Sequence, residues 1–113
     1  MIGLRSWLFV PADSDRKIAR SADSAADVLI LDLEDAVAPG RKTIARGLLR
    51  DVLTARPRET RRSRLWVRIN PLDDAALDDL AAVMPGAPDG IVVPKVDHPR
   101  DVVRLSHWLD AFE

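Results

Sequence analysis

Three carboxylates, those of Asp32, Glu34 and Asp35, directly follow the apolar run 28–31. A short run rich in Val, Ile and Leu is typical of a strand that is buried on both faces, as in a parallel sheet. Acids crowded at one strand end raise one another's pKa unless a cation, a hydrogen-bond donor or solvent compensates. The stretch therefore indicates a strand that delivers carboxylates to a functional site. The alternatives are a solvated strand end that leads into an ordinary turn, and acids that cap a helix starting near Gly40.

Two cations stand in a comparable position farther along the chain. Arg68 lies inside the apolar run 65–69, where an unpaired guanidinium is costly, so it needs an acid or an anionic ligand. Its planar fork can hold both oxygens of a carboxylate. Lys95 follows another short apolar run and is expected to direct its ammonium group into the same opening. The alternatives are a buried ion pair of Arg68 with Glu34 or Asp35, and a solvated turn position for Lys95.

Other charged residues are weaker candidates. Arg16, Lys17 and Arg20 lie together on a predicted first helix and could meet a phosphorylated cofactor, although a solvated helix face is the simpler interpretation. The spacing of His98 and His107 does not place them on one helix face as a metal pair, so surface or capping roles are expected. The sequence contains no glycine-rich phosphate-binding motif.

Apolar runs and amphipathic segments alternate along the chain. Strands are predicted over residues 6–10, 28–31, 65–69 and 91–93. The clearest helix is predicted over 41–55, and the polar stretch 56–64 is expected to be an exposed basic loop. The tryptophans are expected to be packing residues in the core or at an interface.

Four helices are predicted, one after each strand. Their inner faces are formed, in chain order, by Ile18, Ala19, Ala22 and Ala26; Ile44, Ala45, Leu48, Leu49, Val52 and Leu53; Ala76, Leu77, Leu80, Ala81 and Met84; and Val102, Leu105, Leu109 and Phe112. The predicted N-caps are Asp13 or Ser14 for the first helix, Asp73 for the third, and Asp97 or His98 for the fourth.

This alternation predicts an α/β fold of four βα units, with a parallel sheet and right-handed crossovers. Two architectures agree with it: a doubly wound open sheet, or one half of a (β/α)8 TIM barrel. A full barrel takes about 200 residues or more, so a chain of 113 residues supplies only half of one. In either architecture the ligand face is formed by the carboxyl ends of the strands, where the acids and cations are found.

Composition excludes several classes of function. The net charge of −1 provides no global field for nucleic acid or an anionic membrane, and neither partner is expected. The absence of cysteine excludes thiolate nucleophiles and cysteine-ligated zinc. No apolar run approaches the roughly 20 residues that span a bilayer. The run between Arg5 and Asp13 is too short for a signal peptide, so a cytoplasmic location is expected.

Four motifs in this chain resemble, in order and in spacing, those of the HpcH/HpaI aldolase and citrate lyase beta-subunit family. They are RSWLFVPA at 5–12, LILDLEDAVAP at 29–39, VRINP at 67–71 and DGIVVPKV at 89–96. The resemblance implies a (β/α)8 barrel that assembles as a homo-oligomer, a trimer or hexamer. It also implies cleavage or formation of carbon–carbon bonds in 3-hydroxy acids or their CoA thioesters, such as citryl-CoA or malyl-CoA. Magnesium is the implied metal, acting as a Lewis acid that stabilises an enolate.

The resemblance also implies roles for individual residues. Arg68 matches the family arginine that grips the substrate carboxylate or carbonyl oxygen. Glu34 and Asp35 match acids beside the metal site that bind its waters. Lys95 falls at a motif position close to the same pocket, and Arg5 is expected to line its mouth. These residues are the expected catalytic and substrate-binding groups.

Residues Arg16, Lys17 and Arg20 are the expected CoA-binding residues, because the first βα loop and helix of the family often help to bind CoA. The family's direct metal ligands come from the fifth and sixth strands, whereas the sequence ends at Glu113 after its fourth unit. Residues 1–113 are therefore expected to be one domain, an amino-terminal half-barrel without direct metal ligands.

Such a half-barrel has three interpretations: a fragment, a truncated gene product, or one half of a split or self-associating barrel that is active only when completed. A non-catalytic association module is the first alternative function, because open strand edges bind partners. A small phosphate or nucleotide binder that uses the basic first helix is the second.

Overall fold

The computed structural model describes residues 5–113, in which four strands alternate with four α-helices. The strands are β1 Trp7–Pro11, β2 Val28–Asp32, β3 Arg64–Arg68 and β4 Gly90–Val92. The helices are α1 Asp15–Ser21, α2 Lys42–Ala55, α3 Ala76–Val83 and α4 Pro99–Phe112. The predicted alternation is confirmed. Within these residues no helix is both long enough and apolar enough to cross a membrane.

The sheet is parallel throughout, and its strand order β1-β2-β3-β4 follows the chain. A doubly wound sheet would reverse its order at a switch point, and this sheet does not. Because parallel crossovers are right-handed, the sequential order puts the helices on one face, where α3 packs against both α2 and α4. The sheet thus has the order and sidedness of one half of a (β/α)8 barrel, as predicted.

The hydrophobic core fills the space between this face of the sheet and the helices. Its largest fully buried members include Leu29, Leu31, Leu65 and Val67 from the strands, and Leu49, Leu53, Leu80 and Val83 from the helices. Each such side chain contributes about 1.5 to 3 kcal/mol when it leaves water. All five residues of β2 are buried, as predicted for a strand covered on both faces.

The opposite face of the sheet carries aromatic side chains, and no helix within residues 5–113 covers it. Trp7 and Phe9 remain 45% and 50% exposed. The ring of Trp7 meets that of Trp66 edge-on, with 5.2 Å between centroids. Gly90 makes room for Trp66, because a Cβ atom on that glycine would lie 2.4 Å from the indole ring. These tryptophans are packing residues, as predicted.

All four helices differ in part from the predicted inner faces, and in α2 the difference is Ile44, which is 48% exposed. Helix α1 ends at Ser21 because the next N–H groups bond three residues back, to Ala19 and Arg20 oxygens, in tightened turns. The predicted inner position of Ala26 therefore lies outside the helix, and Ala19 and Ala22 are exposed. The first N-cap is Ser14, whose Oγ accepts from the Lys17 N–H at 3.2 Å.

Helix α3 is rotated relative to the prediction, and its buried face is formed by Ala76, Asp79, Leu80 and Val83. Leu77 and Ala81 are exposed instead. The predicted cap Asp73 is wrong: the N-cap is Ala75, without a side-chain bond, and Asp73 accepts from Arg104 of α4 at 2.8 Å.

Helix α4 is capped by His98, whose Nδ1 accepts from the Arg100 N–H at 3.1 Å. Leu105, Trp108 and Leu109 pack against the core. The predicted inner positions of Val102 and Phe112 are wrong, because their side chains are 57% and 37% exposed.

The basic loop between α2 and β3 is not simply solvated. The side chain of Arg61 is 3% exposed, and its guanidinium donates to the carbonyls of Arg56, Gly86 and Ala87 at 2.7 to 2.9 Å. It also pairs with Asp89 at 3.1 Å. These bonds hold the loop against the segment before β4, at the amino end of the sheet.

Candidate functional site

An acid and an arginine from neighbouring strands form the centre of the candidate site. Asp32 and Arg68 are register partners at the carboxyl ends of β2 and β3. The Nε and Nη2 atoms of Arg68 donate to the two carboxylate oxygens of Asp32, at 2.9 and 2.5 Å. Asp32 is only 1% exposed, so the pair lies at the boundary of the core. Arg68 is thus paired mainly with Asp32, whereas the sequence alternative named Glu34 or Asp35.

The carboxylate of Asp32 also organises the loop after β2. Its oxygens accept from the backbone N–H groups of Glu34 and Ala36, at 2.8 and 3.3 Å. Burial alone raises the pKa of Asp32, but the hydrogen bonds from Arg68 and from the Glu34 backbone outweigh it, and the pKa lies below its usual range. The hydrogen bond to Asp32 in turn raises the pKa of Arg68. Both groups stay charged.

The side chain of Glu34 lies between two cations. It is 5% exposed, with Oε2 at 3.0 Å from Lys95 Nζ and Oε1 at 3.7 Å from Arg68 Nε. The hydrogen bond to Glu34 raises the pKa of Lys95 above its ordinary value. The structure therefore brings Glu34, Arg68 and Lys95 together at one end of the sheet, as the strand-end argument predicted.

Lys95 combines an exposed side chain with an unusual backbone. The side chain is 66% exposed, although its ammonium contacts Glu34. The residue follows Pro94 and has φ 54°, a left-handed conformation that costs free energy for any residue with a Cβ atom. Such conformations persist where the surrounding structure fixes them, often at binding sites.

An open cleft lies beside the Asp32–Arg68 pair. It is lined by Phe9, Asp32, Asp35, Ala36 and Arg68. The Phe9 ring packs on the guanidinium, with its centroid 4.8 Å from Arg68 Cζ, a cation–π contact. Asp35 is exposed and, among the described residues, accepts no hydrogen bond.

Arg68 keeps donors available for a ligand. A guanidinium has five N–H bonds, and Asp32 takes one from Nε and one from Nη2. Within residues 5–113 the Nη1 atom donates to no protein acceptor. The arginine is thus held in place by Asp32 and can still bind an anionic or carbonyl oxygen.

Several polar residues behind the cluster were not predicted. Lys42 donates to the carbonyl oxygens of Leu33 and Glu34 at 2.7 and 2.6 Å. Asp79, fully buried, accepts from Asn70 and Arg46. Helical spacing was the signal that could have revealed Asp79, because it lies three residues after the buried Ala76.

The remaining predicted residues lie apart from this cluster. The backbone N–H of Arg5 donates to Asp27 at 2.8 Å, at the amino end of the sheet. The expectation that Arg5 lines the mouth is therefore not met, because the length of a strand separates it from the carboxyl ends. Lys17 and Arg20 line a groove along the open edge of β1, and Arg16 is exposed.

The described residues do not form a direct site for a divalent cation. Within residues 5–113 no group of three or more His, Cys, Asp or Glu side chains is arranged to hold a metal. The carboxylates of Asp32 and Glu34 already face cations, which leaves Asp35 as the acid that opens to the cleft.

The chain has the sequence pattern of a known protein family. Residues 5–113 match the sequence model of a family described as HpcH/HpaI aldolase/citrate lyase. A (3S)-malyl-CoA thioesterase from Cereibacter sphaeroides is 41% identical over 103 residues, which is 90% of this chain and 35% of that protein. A citrate lyase subunit beta-like protein from Mycobacterium tuberculosis is 38% identical, over 88% of this chain and 34% of that protein.

Solved structures also resemble this chain in fold and in sequence. CitE from Mycobacterium tuberculosis, in complex with magnesium, acetoacetate and coenzyme A, superposes with a TM-score of 0.68 and 39% identity. The match covers 88% of this chain and 35% of that one. RipC from Yersinia pestis gives a TM-score of 0.66 at 31% identity, over 93% and 40% of the two chains. The chain thus spans about a third of the length of the curated relatives it matches.

Proposed function

The chain belongs to the HpcH/HpaI aldolase/citrate lyase family, and from this we propose that it forms one half of the active site of a carbon–carbon lyase. Residues 1–113 would be the amino-terminal half-barrel of a citrate lyase beta-like domain. The substrate is a 3-hydroxy acid or its CoA thioester. The rest of the barrel is needed for activity. This proposal agrees with relatives named for citrate lyase and for malyl-CoA.

One observation carries the proposal: Arg68 is fixed by Asp32 and keeps free N–H donors beside an open cleft. When a 3-hydroxy acid is cleaved, negative charge develops on the carbonyl oxygen of the departing acyl fragment. Donors that are already oriented toward that oxygen stabilise the charge without reorganisation. Arg68 binds this oxygen or the substrate carboxylate, and Lys95 contributes a second positive charge nearby.

Magnesium and CoA complete the proposal. Magnesium supplies Lewis-acid stabilisation of an enolate when it is bound. Its direct ligands would come from outside residues 5–113, and Glu34 and Asp35 would accept hydrogen bonds from its waters. The basic residues of α1 bind the CoA phosphates, in support of which Lys17 and Arg20 line one groove beside β1.

The test uses the longer protein in which this half-barrel is completed. We expect it to cleave malyl-CoA or citryl-CoA in the presence of magnesium. Arg68→Ala should lower kcat/KM by roughly 100-fold, about 3 kcal/mol of transition-state stabilisation. The matched control is Arg62→Ala, an exposed arginine at the amino end of the sheet. Full activity in the Arg68→Ala protein would overturn the role of Arg68, and no cleavage by the wild-type protein would overturn the function.

The uncovered sheet face favours a second candidate, a non-catalytic association module. Trp7 and Phe9 are about half exposed there, and the buried Nε1 atom of Trp66 has no acceptor within the described residues. An apolar face bounded by two open strand edges associates with further chain or with a second copy. Light scattering of residues 1–113 at micromolar concentration tests this candidate, because a stable monomer would exclude an association module.

A further inference from the structure

A buried carboxylate in α3 has no role in the site described so far. Asp79 is 0% exposed, and its oxygens accept three hydrogen bonds of 2.7 Å. The donors are Arg46 Nε from α2, and the backbone N–H and side-chain Nδ2 of Asn70, which follows β3. An apolar side chain at this position would leave the donors of Arg46 and Asn70 without their buried acceptor, which is costly. The charge of Asp79 therefore serves these polar partners and not the apolar packing of the core.

The hydrogen bonds continue from Asp79 toward the cluster. Asn70 Nδ2 has two hydrogens, and it also donates to the carbonyl oxygen of Leu33 at 3.1 Å. Lys42 Nζ donates to that same oxygen at 2.7 Å and to the carbonyl oxygen of Glu34 at 2.6 Å. The backbone N–H of Glu34 donates to the carboxylate of Asp32. The peptide groups on both sides of Glu34 are thus fixed by side chains.

We propose that Asp79, Asn70, Arg46 and Lys42 form a positioning network that fixes the backbone of Glu34, so that its carboxylate lies between Arg68 and Lys95. Arg46 acts through Asp79 and Asp79 through Asn70, whereas Asn70 and Lys42 bond the carbonyl oxygens beside Glu34 directly. In catalytic sites a displacement of about 1 Å can cost about 100-fold in rate, which gives such a network its value. The proposal rests on the proposed function for its catalytic meaning, although the geometry is independent of it.

The experiment measures amide hydrogen exchange by NMR in the chain of residues 1–113. Asp79→Asn replaces one acceptor oxygen by a donor that faces existing donors. We expect the Glu34 amide to exchange at least about tenfold faster, the effect of losing one charge-assisted hydrogen bond. The amide of Leu31, inside β2, serves as the internal reference for global unfolding. The matched control is Asp78→Asn, an exposed neighbour on the same helix.

A second pair of variants keeps the test decisive if Asp79→Asn does not fold. Lys42→Met removes the donor to both carbonyls at a partly exposed position, whereas Lys42→Arg retains a donor there. Faster exchange at Glu34 in Lys42→Met, with rescue in Lys42→Arg, supports the network. Exchange at Glu34 in Lys42→Met that matches the Asp78→Asn control overturns it, whether or not Asp79→Asn folds.

The two proposals can fail separately. In the longer protein, a loss in kcat for Asp79→Asn with little change in KM connects the network to catalysis. Absence of lyase activity in the wild-type protein would overturn the proposed function and leave the exchange result standing. Unchanged exchange at Glu34 would overturn the network whatever the activity.

Discussion

The two oxygens of Asp32 hold the Nε and Nη2 atoms of Arg68 across the β2–β3 pair, at 2.9 and 2.5 Å. The acid closest to the core therefore orients the arginine, and Asp35 is the acid that faces the open cleft. Glu34 completes the arrangement by pairing with Lys95 from the next strand end. Three adjacent strands thus contribute to one chain of alternating charges.

Removing Asp32 should destabilise the fold. Asp32→Ala leaves a partly buried guanidinium without its main partner, and we expect a loss of about 3 kcal/mol in the free energy of unfolding. Urea denaturation followed by tryptophan fluorescence measures it. The control Asp35→Ala removes an exposed acid of the same loop and should change stability by less than about 0.5 kcal/mol. Equal losses in the two variants would contradict a special role for Asp32.

The stabilisation by Asp32 should depend on pH with a defined sign. The pKa of Asp32 is lowered in the folded protein, so the unfolded chain takes up its proton first as the pH falls. The contribution is therefore fully present above the unfolded pKa of about 3.9 and is lost as the pH falls through the lower folded value. The stability difference between wild type and Asp32→Ala should narrow below about pH 4. A stability difference between the two proteins that stays constant from neutral pH to pH 3 would refute the predicted direction of the pH dependence.

The packing of Trp66 on Gly90 provides a prediction for the uncovered face. A methyl group on Gly90 would lie 2.4 Å from the indole ring, so Gly90→Ala must displace Trp66 and should cost about 1 to 3 kcal/mol. The control is Gly47→Ala in α2, where a Cβ atom meets nothing within 4 Å. That change should stabilise the helix by about 0.5 to 1 kcal/mol. Thermal unfolding measures both, and a neutral Gly90→Ala would argue against this ring position.

Much of the fold follows from local pattern. The strand-end residues Glu34, Arg68 and Lys95 were expected to meet because parallel strands end at one edge, and the contacts confirm the meeting. The predicted strands and helices alone do not decide between a doubly wound sheet and a half-barrel. Strand order decides it, and strand order is a long-range property that no single run encodes.

The partners inside the site were harder to predict. Asp32 was grouped with the other acids, because its pairing with Arg68 depends on the β2–β3 register. Asp79 was overlooked, since a charged residue at a core position looks like an interruption of the apolar stripe. The sequence predicts an exposed loop around Arg61, although two of the three carbonyls it binds come from a segment more than twenty residues away. Buried polar contacts of this kind depend on tertiary structure.

The Phe9 ring, packed against Arg68, has a consequence for which molecules the site accepts. It covers one flat side of the guanidinium, and Asp32 already occupies part of the rim. A bound anion can still approach in the plane of the group, where the remaining N–H bonds of Nη1 and Nη2 point, and carboxylates and phosphates can both accept two such bonds. The uncharged strand β1 thus limits the directions from which a ligand can reach the charges beside it.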